Sequence, residues 1–143
     1  MEILNLNSLD TQRMQQVERL LQLLSPDADP LNLERLNQLL KDGHMRLFVA
    51  ENEEKDIVGI LSLCVCPTLA KDKLWIEDVV VDESYRGSGI GRQLVQAAIV
   101  YAKSNSSVAM LYLTSNPTRK AARALYTSEG FEEYETGVFR MKL

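Results

Sequence analysis

The chain has 143 residues, of which 45% are hydrophobic and 25% are charged, and its formal net charge is -4. This length and composition fit one compact soluble domain, here residues 1–143, and exclude a disordered chain. The acidic balance argues against DNA or RNA as a partner, because phosphate binding favours a basic surface. No apolar run approaches the roughly 20 residues that cross a bilayer. The first residues also lack a signal peptide, so we expect a cytoplasmic protein without membrane contact.

Hydrophobic periodicity, turn residues and β-branched runs predict eleven elements in the chain. Helices are predicted where apolar residues recur at helical spacing, and strands where they alternate or cluster between turns. The predicted elements are a strand at 2–7, helices at 8–25 and 31–43, strands at 45–50, 57–66 and 74–81, a helix at 91–105, a strand at 108–115, a helix at 116–129, and two short strands around 136–137.

This element order predicts an α/β fold with a mixed sheet. Three successive strands in the middle of the chain favour an antiparallel meander, and the strand–helix–strand unit after it favours a parallel, right-handed crossover. The sheet is therefore expected to be mostly antiparallel, with helices covering its faces.

The cysteine and histidine content argues against a metal site. Cys64 and Cys66 lie two residues apart on a predicted strand and share one face, and His44 is the single histidine. A zinc site needs more ligands than this, so we expect two reduced, packed thiols and no metal.

The segment "RGSGIG", at Arg86 to Gly91, lies between a predicted strand and a predicted helix. Free N–H groups and the positive end of the helix dipole make such a junction an anion site, and glycines let the backbone approach the anion closely. Gly91 is followed by Arg92, which excludes a Walker loop, and the glycine spacing excludes a Rossmann fingerprint. The segment alone is also compatible with a tight turn or close helix packing.

The spacing Arg-x-x-Gly-x-Gly, filled by Arg86, Gly89 and Gly91, resembles the GCN5-related N-acetyltransferase (GNAT) superfamily. The segments "WIEDVVVDESYRGSGIGRQL", "TSN" and "ARALYTSEGF" occur in that family's order and extend the resemblance over most of the chain. The resemblance implies an acyl-CoA N-acyltransferase fold and acetyl-CoA as co-substrate. It implies that the amides of the glycine segment hold the CoA diphosphate and that the strand beside it binds the pantetheine arm. The implied cofactor-binding residues are Val79, Val80, Val81, Arg86, Gly87, Ser88, Gly89, Ile90, Gly91 and Asn116.

The resemblance also implies two catalytic side chains. Tyr126 stands where the family places the acid that protonates the leaving thiolate, and a phenol with a pKa near 10 holds that proton at neutral pH. Glu77 stands where the family places a base for the amine. Strict alternation places Glu77 on one strand face with Trp75, Val79 and Val81, and Asp78 on the other. Asp78 remains the alternative base, because a bulge would disturb this alternation.

Other polar residues near the motif have two interpretations each. Asn116 is predicted to cap the last helix and, by the resemblance, to contact CoA. Four basic residues flank the two helix starts, where they contact CoA phosphates or form solvated helix faces. They are Arg92, Arg119, Lys120 and Arg123.

The sequence thus predicts an N-acetyltransferase that transfers acetyl from acetyl-CoA by direct attack of a primary amine, with a small molecule as acceptor. Three alternatives stay open: a protein lysine or N-terminal acetyltransferase, a non-catalytic CoA-binding sensor, and a loop that binds another nucleotide. Homodimer formation is also left open.

Overall fold

The structure is a computed structural model that describes all residues 1–143. It contains five strands, four α-helices and one short 3-10 helix. Their bounds are β1 Glu2–Leu6, α1 Thr11–Leu24, α2 Leu33–Lys41, β2 Met45–Glu51, β3 Ile57–Cys66, β4 Asp72–Val81, the 3-10 helix Glu83–Tyr85, α3 Ile90–Ser104, β5 Val108–Leu113 and α4 Lys120–Ser128.

The two N-terminal helices begin at side-chain caps. The Asp10 carboxylate accepts a hydrogen bond from the Arg13 amide at 2.8 Å, and the Asn32 side chain accepts one from the Arg35 amide at 2.8 Å. Each cap satisfies an amide that has no acceptor within the helix. The helix α1 ends before Pro26, as predicted, because proline cannot continue the helical hydrogen bonds.

The five strands form one sheet in the order β1-β2-β3-β4-β5. The first three pairings are antiparallel, and β4 pairs with β5 in parallel through the α3 crossover. The predicted mixed, mostly antiparallel sheet with flanking helices is confirmed.

A hydrophobic cluster covers each face of the sheet. One cluster joins the strands to α3, and its members include Phe48, Leu61, Leu63, Leu74, Ile76, Leu94 and Ala98. The other joins them to α1 and α2, and its members include Val17, Leu20, Leu40, Val49, Ile60 and Val80. The strands β1 to β4 supply residues to both clusters, because successive side chains point to opposite faces, whereas β5 supplies only the cluster with α3.

The two C-terminal strands predicted around Thr136–Gly137 are not formed. Residues 131–143 have no regular secondary structure, and Phe139 and Met141 are exposed. The segment does not pair with β5, which is the last strand of the sheet. A two-stranded hairpin without a sheet partner is only marginally stable in water, which accounts for the difference.

Candidate active site

A bulge interrupts β4 at Glu77. The β3–β4 register pairs Leu63 with Ile76 and Ser62 with Asp78, so Glu77 has no partner on β3. The extra residue shifts the alternation of side chains by one position. The predicted face shared by Glu77, Val79 and Val81 is therefore wrong, since both valines pack with the α3 cluster that also contains Ile76.

Asp78 is held by a serine of the neighbouring strand. The Ser62 hydroxyl donates to the Asp78 carboxylate at 2.5 Å, and the Asp78 amide donates to the Ser62 oxygen at 3.1 Å. Ser62 is buried on the face of β3 that also carries Cys64. The structure thus adds a residue that the sequence interpretation missed, because only the strand register reveals the contact.

The ionisation of the Cys64 thiol is affected by the neighbouring carboxylates. Partial burial is the main cause that raises the pKa of this thiol, and the carboxylates of Glu77 and Asp78 raise it further. Both carboxylates therefore lie close enough to Cys64 to affect its ionisation. Cys64 pairs across the strands with Trp75, whose ring stacks on Tyr112 of β5 at 4.8 Å between centroids.

The strands β4 and β5 pair over only part of β4. Their parallel register ends at Ile76 opposite Leu113, whereas β4 continues to Val81. The stretch Val79 to Val81 pairs with β3 on one side and has no strand partner on the other. Its free backbone edge is a place where an extended ligand can add as a strand.

The glycine segment follows directly after this free edge. Gly87 and Gly89 have φ angles of 80° and 83°, in the left-handed region that favours glycine. None of the backbone hydrogen bonds outside the helices and strands has its donor between Gly87 and Arg92. The amides of this segment and of the first turn of α3 are therefore free, and they surround the positive end of the helix.

The space around these glycines fits a phosphate group. A Cβ atom built at Gly87 or Gly89 meets nothing within 4 Å, so the backbone there is open to a ligand. Ser88 donates its hydroxyl to the Tyr85 carbonyl at 2.5 Å, and Arg86 donates to the Val81 carbonyl at 3.2 Å. Ile90 points into the core instead, and only its amide is available to a ligand.

Asp82 anchors the beginning of this loop. Its carboxylate accepts hydrogen bonds from the hydroxyl and amide of Ser84 and from Arg19 of α1. These bonds, first of all the Ser84 hydroxyl, lower the pKa of Asp82 to about 2. The anchor stabilises the protein above the unfolded pKa of about 4 and is lost as the pH falls through 2.

Tyr126 lies on α4, beside the beginning of α3. Its ring packs on Phe131 in an edge-to-face arrangement at 6.0 Å, and its hydroxyl makes no hydrogen bond within the chain. Partial burial raises the pKa of this phenol, although Arg119 opposes the shift. The side chain therefore keeps a transferable proton throughout the neutral range.

Asn116 does not cap a helix, contrary to the prediction. The helix α4 begins at Lys120, and the Asn116 side chain instead accepts from the amide and hydroxyl of Thr118 in the turn before it. Asn116 closes this turn because its short side chain bonds two residues ahead, as in an Asx turn. The turn still connects β5 to α4, at the open end of the β4–β5 pair.

The four basic residues separate into two groups. Arg92 pairs with Glu129, and Arg123 pairs with Glu133. Arg119 and Lys120 take part in none of the ion pairs of the chain and lie at the beginning of α4. Of the four, these two are free to pair with a phosphate.

Comparison with known proteins agrees with this geometry. The model of the Acetyltransferase (GNAT) family matches residues 12–131. Uncharacterized N-acetyltransferase YycN of Bacillus subtilis strain 168 is 32% identical over 114 residues, which are 77% of this chain and 72% of that protein. Human N-acetyltransferase 8B is 33% identical over 95 residues, which are 66% of this chain but only 41% of that protein.

Two solved structures share the fold over nearly the whole chain. An aminoglycoside acetyltransferase from an uncultured soil metagenomic sample superposes with a TM-score of 0.85 at 24% identity, covering 99% of this chain and 95% of that one. A Trypanosoma brucei acetyltransferase superposes with a TM-score of 0.80 at 26% identity, covering 99% of each chain.

The fold and the family match define an acetyltransferase. This chain belongs to the GNAT family of acetyltransferases, whose acyl donor is acetyl-CoA. The family predicted from the glycine segment is thereby confirmed. None of the helices is long and apolar enough to cross a membrane.

Proposed function

We propose that this protein transfers the acetyl group of acetyl-CoA to the primary amine of a small molecule by direct attack. The observation that carries the proposal is the run of free amides from Gly87 to Arg92, beside the unpaired edge of β4. Acetyl-CoA supplies an activated thioester when it is bound. The amides bind its diphosphate, Val79 to Val81 bind its pantetheine arm, and Asn116 is the further contact from the β5–α4 turn.

Two side chains carry the proton transfers in this proposal. Glu77 accepts the proton of the attacking amine, because an ammonium has no lone pair to attack with. Tyr126 donates a proton to the departing thiolate, and its raised pKa keeps that proton in place at neutral pH. A backbone N–H of the free β4 edge supplies a donor for the developing oxyanion.

The acceptor is proposed to be a small amine. The soil-metagenome neighbour is an aminoglycoside acetyltransferase, which gives a precedent for this fold. A protein lysine or N-terminal acetyltransferase would instead acetylate none of the small amines in a panel. We place the reaction in the cytoplasm. Light scattering would show whether the chain forms a homodimer.

Two measurements test the proposal. Acetyl-CoA should raise the melting temperature of the protein, whereas ATP and NAD at the same concentration should not. Thiol release from acetyl-CoA should then depend on one or a few members of an amine panel. Binding of CoA without thiol release for any amine, peptide or protein would support a sensor and contradict the enzymatic proposal.

A further inference from the structure

Ser62 is one of only two polar or charged residues in the buried core. The other, Glu51, forms ion pairs with Arg13 and Lys55, which tie α1 and the β2–β3 turn to the sheet. Ser62 is 5% exposed, and both hydrogen bonds of its side chain are made with Asp78. A buried hydroxyl is costly unless its bonds are satisfied, so Asp78 is what stabilises it there.

The two bonds restrain different parts of Asp78. One bond fixes its carboxylate and the other fixes its backbone amide. This amide directly follows Glu77, the residue without a partner on β3. A bulge redirects the side chain of its extra residue, and the direction depends on how the flanking backbone is held. Ser62 therefore holds the C-terminal side of the bulge.

Neither carboxylate of the bulge is neutralised by a basic side chain. No ion pair of the chain includes Glu77 or Asp78. The two differ in their restraint, because Asp78 is bonded to Ser62 whereas Glu77 makes no side-chain hydrogen bond and is exposed. One carboxylate is thus fixed within the sheet and its neighbour is free to meet a substrate.

We propose that Ser62 is a positioning residue, which holds Asp78 by its amide and carboxylate and thereby directs Glu77 toward the acceptor amine. The inference rests on the proposed function, in which Glu77 takes the amine proton. It also assigns different roles to two adjacent carboxylates. Asp78 bonds to Ser62 and fixes the backbone of the bulge, whereas Glu77 accepts the amine proton.

The first test uses Cys64 and needs no acceptor. In a Cys66→Ser background, the pH dependence of Cys64 alkylation by iodoacetamide gives the midpoint of thiol ionisation. The carboxylates that act on the Cys64 thiol are those of Glu77 and Asp78, and Lys73 lies opposite Cys66 on the same face. Met45, the β2 neighbour of Cys64, carries no charge, and Glu2 and Glu51 lie at the far end of that face. Ser62→Ala should lower the midpoint, because the Asp78 carboxylate, once it is no longer bonded to Ser62, spends less time near the thiol. Ser62→Thr, which keeps the hydroxyl, should restore it.

The second test measures acetyl transfer to the amine identified in the panel. Ser62→Ala should lower kcat by about 10- to 100-fold, the size expected for a small misplacement of a reacting group. The dissociation constant of acetyl-CoA should stay unchanged, and Ser62→Thr should recover most of the kcat. Melting temperatures of both variants show whether they are folded.

A matched pair of Asp78 variants separates positioning from catalysis. Asp78→Asn removes the charge but keeps an oxygen that can accept from Ser62, whereas Asp78→Ala removes both. Positioning predicts that Asp78→Asn keeps more activity than Asp78→Ala. Ser62→Ala combined with Asp78→Ala should cost little more than either change alone, because the two residues act as one unit.

Each result decides a separate point. An unchanged Cys64 midpoint in folded Ser62→Ala, or equal losses in the two Asp78 variants, would overturn the positioning role. If the Cys64 midpoint shifts in Ser62→Ala but Glu77→Gln keeps full turnover, the Ser62–Asp78 contact is supported and Glu77 is excluded as the base. In that case the proposed mechanism fails, and the inference about Glu77 fails with it.

Discussion

The two regions proposed to act in the reaction, the loop after β4 and the bulge within β4, differ in how they are built. The loop after the strand presents backbone amides and depends on residues without side chains, Gly87 and Gly89. The bulge within the strand presents the side chain of Glu77 and depends on the register between β3 and β4. The loop is thus determined by the type of residue at fixed positions, whereas the bulge is determined by how the strands pair in the fold.

This difference explains the different outcomes of the sequence predictions. A glycine segment between a strand and a helix predicts an anion site locally, because only glycine adopts positive φ without strain. A bulge leaves no such signal in "WIEDVVV", since its position depends on the register with the neighbouring strand β3. The following variants test each region separately, beginning with the largest expected effect.

Substitution of the loop should abolish donor binding. Gly89→Glu places a carboxylate where we propose the CoA diphosphate binds, which combines a steric clash with repulsion of like charges. We expect no measurable CoA binding by calorimetry. The fold should survive, because a Cβ at this position meets nothing within 4 Å.

Two controls separate charge from backbone strain in that experiment. Gly89→Ala adds the strain of a positive φ without a charge, and Gly130→Glu adds the same charge at another open, positive-φ glycine. Both should bind CoA better than Gly89→Glu. Normal CoA affinity in folded Gly89→Glu would show that the diphosphate binds elsewhere.

Removal of one hydroxyl on α4 should affect the chemical step alone. Tyr126→Phe keeps the ring that packs on Phe131 but removes the proposed acid. General acid catalysis contributes about 10²–10⁴-fold, so kcat should fall by roughly that factor. The raised pKa of Tyr126 predicts that the parent enzyme loses no activity through ionisation of this tyrosine in the neutral range.

The matched control is Tyr101→Phe on α3. This change removes a hydroxyl that accepts a hydrogen bond from Arg46 of β2, and it should leave kcat unchanged. An acyl donor with a better leaving group should reduce the effect of Tyr126→Phe, because that step then needs less protonation. If Tyr126→Phe turns over at the parent rate, solvent protonates the thiolate and the tyrosine only packs.

Substitution at the bulge should give a smaller and pH-dependent effect. Glu77→Gln should lower turnover by about 10²-fold, at the lower end of general base catalysis. The loss should be greatest at low pH, where more of the amine is protonated, and acetyl-CoA binding should change little. Glu54→Gln, in the β2–β3 turn, is the control for loss of an exposed carboxylate. A pH–rate profile identical to that of the parent would exclude Glu77 as the base.

Particular residues show how far the sequence predicted this molecule. Apolar periodicity and Pro26 predicted the helices, and the β-branched run predicted β4, because these signals are local. The place of Asn116 and the absence of strands in residues 131–143 were not predicted. Both depend on tertiary context. The position of Asn116 depends on where α4 begins, and strands in residues 131–143 would need pairing with β5. The roles of Glu77 and Tyr126 remain predictions.

The smallest expected effect separates the glycines of the loop from one another. Gly89 has a φ of 83°, so Gly89→Ala should destabilise the protein by about 1–2 kcal/mol, the cost of the left-handed conformation. Gly91 has no positive φ, and a Cβ there lies 3.7 Å from Leu125 and 3.9 Å from Val81, which are ordinary contacts. Gly91→Ala should therefore stabilise the fold by about 0.4–1 kcal/mol, because it restricts the unfolded chain. Urea unfolding of both variants measures the difference, and equal destabilisation would mean that helix packing, rather than backbone conformation, requires all of these glycines.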